Sequence, residues 1–110
     1  MATLFRNKVL REVGTTPVQI VQTADNSRAT VIGMSLTNLL PDKAVLVSIM
    51  LTDETSTTGY FIKDVMIAPN GSLRAVNGGE KLIIAPSNEL MVFSSAENSV
   101  DVLMSFVEIV

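Results

Sequence analysis

The chain has 110 residues, 47% of them apolar and only 17% charged, with a net charge of −3 at neutral pH. One domain of this length can bury a real core, and such a composition excludes intrinsic disorder. There is no cysteine and no histidine, which excludes disulfides, thiolate nucleophiles, imidazole bases and nearly every transition-metal site.

The charge is unevenly divided. Arg6, Lys8 and Arg11 against Glu12 leave the first 12 residues at +2, and the other 98 carry −5. An acidic body excludes general nucleic-acid binding, because phosphates need a cationic face. The longest charge-free stretch, Ala29 to Pro41, has 13 residues and contains Thr, Ser and Asn, so no membrane span is expected. No apolar h-region stands at the N-terminus, so no signal peptide is expected either.

Taken in chain order, the residues alternate with period two and are punctuated by turns. Residues 4–12 are expected to add an arm strand or a short helical turn. Gly14-Thr15-Thr16-Pro17 then leads into a strand near 18–23, which Asp25-Asn26-Ser27 ends. In the strand predicted over 29–39, Thr30, Ile32, Met34 and Leu36 oppose Val31, Gly33, Ser35 and Thr37. Pro41-Asp42-Lys43 precedes a strand over 44–52, with Val45, Val47, Ile49 and Leu51 on one face and Leu46, Ser48, Met50 and Thr52 on the other. After a polar loop over 53–58 come strands near 59–68, 73–76, 80–84 and 89–94. Pro69-Asn70-Gly71-Ser72, Asn77-Gly78-Gly79 and Ala85-Pro86-Ser87-Asn88 divide them, since proline presets φ and Asn-Gly accepts positive φ. The final strand, over 99–109, sets Val100, Val102, Met104 and Phe106 against Asp101, Leu103, Ser105 and Val107.

The expected fold is all-β: an antiparallel β-sandwich of about eight strands, with the jelly roll as its candidate arrangement. Residues 1–12 read as an extended N-terminal arm and 13–110 as the sandwich domain. Several strands are apolar on both faces, although a sandwich has one inner face per sheet. Leu46 and Met50 form the second apolar face of one strand, and Leu103 and Val107 that of the last. Large exposed apolar patches mark interfaces. Those four residues, with Leu4, Phe5, Arg6, Lys8 and Arg11 of the arm, are therefore the candidate interface, Phe5 as an anchor for a neighbour's pocket. The expected partners are other copies of the chain or other proteins.

Asp53 and Glu54 are adjacent in a loop, where both are solvated, and they lack the spacing of a calcium loop. No G-x-S-x-G occurs, and no histidine is available as a base. The glycines 71, 78 and 79 read as hairpin glycines, since no helix follows to receive an anion. No catalytic residue, cofactor or metal site is expected. A rival reading is a sugar-binding module using loop 53–58 and Tyr60. The chain holds no Trp, one Tyr and four Phe, which is few for an aromatic platform.

The order of motifs resembles a known group. Val13-Gly14-Thr15-Thr16-Pro17-Val18, Ala29-Thr30-Val31-Ile32-Gly33-Met34-Ser35-Leu36-Thr37-Asn38, Ile67-Ala68-Pro69-Asn70-Gly71-Ser72-Leu73 and Ser99 to Ile109 together are similar to small β-sandwich virion structural proteins of tailed bacteriophages. The resemblance covers nearly all of residues 13–110. It departs at Ser87-Asn88-Glu89, where a Gly-Asp turn is expected. It implies a non-enzymatic virion part, present in many copies and assembled in the host cytoplasm. Such a part would attach to major capsid or tail proteins, as capsid decoration (cement) or as a tail, neck or baseplate subunit.

Overall fold

Runs of Val, Ile, Thr and Phe with period-two alternation favour pleated strands that bury one face. The computed structural model describes residues 2–77 and 79–110, so Gly78 of the predicted Asn77–Gly79 turn lies outside the described residues, as does Met1. Among the described residues nine strands form: β1 (Thr3–Val13), β2 (Val18–Gln22), β3 (Arg28–Asn38), β4 (Val45–Thr52), β5 (Thr58–Ile67), β6 (Ser72–Val76), β7 (Leu82–Ile84), β8 (Glu89–Ser94) and β9 (Val100–Ile109). They make two antiparallel sheets. One has the order β1-β9-β3-β6, with β7 also on β3, and the other has the order β2-β8-β4-β5.

β6 and β7 pair with the two ends of the same strand, at Met34–Thr37 and Ala29–Val31, and so act as two halves of one split strand. Counted that way, eight strands wind between the sheets in the order of a jelly roll. The core lies between the sheets. Val31, Leu36, Ile84, Val100 and Val102 from the first sheet are fully buried, as are Val47, Ile49, Leu90 and Val92 from the second.

Bulges set which residues face inward. In β3 the register steps from Val31↔Phe106 to Gly33↔Ser105, which leaves Ile32 as an extra residue. This overturns the simple two-face reading of residues 30–37. Val31 is buried with Met34 and Leu36, whereas Ile32 is 39% exposed. One inserted residue reverses the phase of all that follow. In β1 a similar step between Leu10 and Val13, with Glu12 at φ 54, lets Leu10 pack on the core and buries Val13.

β1 is extended and antiparallel to β9 from Thr3↔Ile109 to Val13↔Val100. Pairing continues to the chain end, where Ala2 and Val110 exchange backbone hydrogen bonds of 2.8 and 3.0 Å. Buried polar groups are tied into the frame. The Asn38 side-chain amide donates to the carbonyls of Lys43 (2.8 Å), Ile67 (3.1 Å) and Ala68 (3.2 Å), and its oxygen accepts from Leu40 N–H (2.9 Å). One residue thus fastens the end of β3 to the start of β4 and the end of β5.

Candidate functional site

Residues directly opposite each other in antiparallel strands project from the same face. Reading the register outward from β9 therefore assembles the outer surface of the first sheet. Leu103, between buried Val102 and Met104, is 56% exposed, and its partners are Val9 on β1 and Ser35 on β3. Val107 lies opposite Phe5 on one side and Thr30 on the other, and Thr30 in turn pairs with Ile83 of β7. Phe5-Val107-Thr30-Ile83 is thus one row across four strands, and Val9-Leu103-Ser35 is a second. Phe5 is 78% exposed, Ile83 57% and Val9 54%. Ile32 emerges between the rows at its bulge.

The expected site residues fall into two groups. Phe5, Leu103 and Val107 come together on this face. Leu46 and Met50 lie on the outer face of the other sheet, where Leu46 pairs with Met66 and Met50 lies between Tyr60 and Met91. Met66 is 65% exposed and Tyr60 half exposed. Leu4, Arg6 and Lys8 alternate with Phe5 and so point to the opposite side of β1. Arg6 Nε donates to Glu108 Oε1 at 2.7 Å within the chain. Lys8 and Arg11 are exposed. Sequence reasoning missed Val9, Ile32, Ile83 and Met66 as surface residues. For Val9 a signal existed, since it shares the parity of Phe5; the others required the pairing itself.

A groove of about 340 Å³ opens at the far side of the sandwich, where β5 of one sheet meets β7 of the other. Leu51, Phe61, Leu82 and Gly59 line it, with Tyr60, Asp53 and Thr57 at its rim. Gly59 leaves space there: a Cβ on it would meet no atom within 4 Å. Lys63 Nζ lies 5.2 Å from the centre of the Tyr60 ring, a cation–π distance that steadies both side chains. Asp53 organises the adjoining loop. Its Oδ1 accepts from the Thr55 hydroxyl (2.6 Å) and from the N–H groups of Thr55 (2.9 Å) and Thr57 (3.1 Å). These bonds, the Thr55 hydroxyl first, lower its pKa below the ordinary aspartate value, so the rim keeps its negative charge. Among the described residues no three acidic side chains gather as metal ligands would.

A scan against protein-family models finds no match, and a search of curated proteins finds none either. Solved structures are similar in fold. A chain of the T13 particle of infectious bursal disease virus superposes with a TM-score of 0.56 at 8% identity, over 96% of this chain and 30% of that one. A chain of the acid-stable capsid of Helicobacter pylori bacteriophage KHP30 gives 0.55 at 10% identity, over 99% and 89%. The fold is shared with chains of viral capsids. A chain from the disulfide-linked pili of Bacillus endospore appendages also gives 0.54 at 9% identity, over 96% and 86%. At these identities the likeness concerns the fold alone. The chain spans under a third of the bursal virus protein and nearly all of the phage capsid chain.

Proposed function

We propose that the chain is a non-enzymatic structural subunit of a tailed-bacteriophage virion, which associates with its own copies and attaches to major capsid or tail proteins. The observation that carries this reading is a jelly roll with apolar rows on the outer faces of both sheets. A domain that works alone in water keeps such faces polar, whereas a building block covers them with neighbours. The similar chains of a viral particle, a phage capsid and a pilus support the same reading, since each is part of an assembly.

Residues 1–12 are the attaching segment in this reading, and 13–110 the rigid body that holds it in place. Rigid sheets let many weak contacts add, as in multivalent attachment. Capsid decoration is favoured over a tail, neck or baseplate position by the small size and low charge. The chain then acts in the virion, after assembly in the host cytoplasm.

Electron microscopy of purified particles, labelled with a gold-conjugated antibody to this chain, tests the proposal. Regular label over the shell is the expected result. Label confined to the tail would keep the structural role and overturn the decoration, and unlabelled particles would overturn both.

A further inference from the structure

We infer that copies of this chain join head to tail, with Phe5 of one copy seated in the Leu51–Phe61–Leu82 groove of the next. The inference rests on the assembly reading above and specifies its contact. Among the described residues Phe5 is the most exposed large apolar side chain, and it projects from β1, the outer strand of its sheet. A ring so exposed is an anchor without a pocket in its own chain, and anchors of this kind carry most of the energy of an interface. The groove is the converse, an apolar opening to the core whose lining lacks a side chain at Gly59. Its volume is at the small end for a binding site and suits one aromatic side chain.

The two features lie on opposite edges of the sandwich, β1 at one and the β5–β7 junction at the other. Phe5 therefore cannot fill the groove of its own chain. A contact between different patches on successive copies is heterologous, and it propagates into a ring or a filament. Charge selects a second copy as the occupant. The segment that bears Phe5 carries a net +2, while the rim has Asp53, followed in the loop by Glu54, with Lys63 held against Tyr60, and the body as a whole is negative. The exposed Lys8 and Arg11 thus give the approaching β1 strand a charge opposite to that of the body it meets, and such complementarity fixes orientation and speeds encounter.

The absence of cysteine makes the contact directly testable. Chains carrying Asn7→Cys are mixed with chains carrying Thr57→Cys and treated with a short bismaleimide. Both positions are exposed and flank the proposed contact without removing it. A cross-linked dimer in the mixture, and none from either variant alone, is expected. A dimer formed by Asn7→Cys alone would show an isologous contact and overturn the pairing.

In parallel, sedimentation equilibrium compares the unaltered chain with Phe5→Ala and Gly59→Leu, the second of which fills the groove from within. Each is expected to weaken association by about tenfold or more, as loss of an interface anchor does. Unfolding midpoints should stay near the original, because Phe5 is exposed and Gly59 has ordinary φ and open space around it. Association that persists unchanged in both variants overturns this contact and leaves the assembly reading intact. A chain that never associates overturns both. Saturable glycan binding lost in Tyr60→Ala, with no cross-link in the mixture, would assign the groove to a sugar instead.

Discussion

Ser87 has φ 62, a left-handed conformation that side chains resist because Cβ crowds the following carbonyl. It follows Pro86 in a turn closed by Asn88 N–H to Ala85 C=O at 3.2 Å, where the third position usually holds glycine. The departure at Ser87-Asn88-Glu89 from the expected Gly-Asp turn is thus a substitution within a kept geometry. Ser87→Gly should raise stability by about 0.5–1 kcal/mol, the strain relieved less the extra entropy of an unfolded glycine. Denaturant unfolding checks this, and an unchanged or lower midpoint would contradict it. Asn38 works in the other direction. Asn38→Ala removes a donor from the carbonyls of Lys43, Ile67 and Ala68, the last of which keeps the Gly71 N–H at 2.9 Å, and takes the acceptor from Leu40 N–H; a loss of about 2–4 kcal/mol is expected in the same measurement. Two carboxylates make stability depend on acid. The Thr15 hydroxyl, then its N–H at 2.9 Å, hold the Glu97 pKa below the ordinary range, as Thr55 and Thr57 do for Asp53. Groups depressed on folding bind fewer protons than in the unfolded chain, so their contribution is complete above the ordinary carboxylate range and is lost as pH falls through the folded values. The unfolding temperature should therefore be level above about pH 5 and fall below about pH 4, where carboxylates titrate. Glu97→Gln should flatten part of that fall; an identical slope would contradict the assignment.

At the scale of elements, the strands were legible because turn chemistry and alternation act locally. Every predicted strand segment has a counterpart, including residues 4–12, and Asn70 of the predicted turn does take positive φ, at 56. What could not be read depends on partners distant in sequence. The Ile32 bulge appears only when β9 lies alongside, and without it the faces of residues 30–37 are assigned wrongly. The joining of Phe5, Val9, Leu103 and Val107 into one surface needs the β1–β9 register, and the role of Asn38 needs both sheet ends in place. The site was legible as a list of residues and not as a surface. β1 carries a further consequence. It covers one edge of β9, and an uncovered strand edge recruits other chains. Removal of residues 1–12 should thus take away a large part of a stability that totals about 5–15 kcal/mol in folded domains, and the product should aggregate. Calorimetry and light scattering check this, and a soluble truncated chain with the original midpoint would contradict it.

At the scale of the whole molecule, the sequence places its apolar residues in three layers rather than one. The middle layer is the core, and the outer two are the rows Phe5-Val107-Thr30-Ile83 and Val9-Leu103 on one sheet and Tyr60-Met50-Met91 and Met66-Leu46 on the other. Such an arrangement fits the low charge: the rows hold no charged residue, and Thr30, Ser35 and the Asn7–Ser105 pair between them are polar but neutral. The dimensions, 47 × 27 × 22 Å, give each copy two broad flanks to offer. Sedimentation velocity across a wide range of concentration tests this most directly, on the unaltered chain and on Leu103→Glu, which places a charge in the middle of one outer face. The unaltered chain is expected to shift to larger species as concentration rises, and Leu103→Glu, still folded, to shift far less. A single slow boundary at every concentration for the unaltered chain would contradict it.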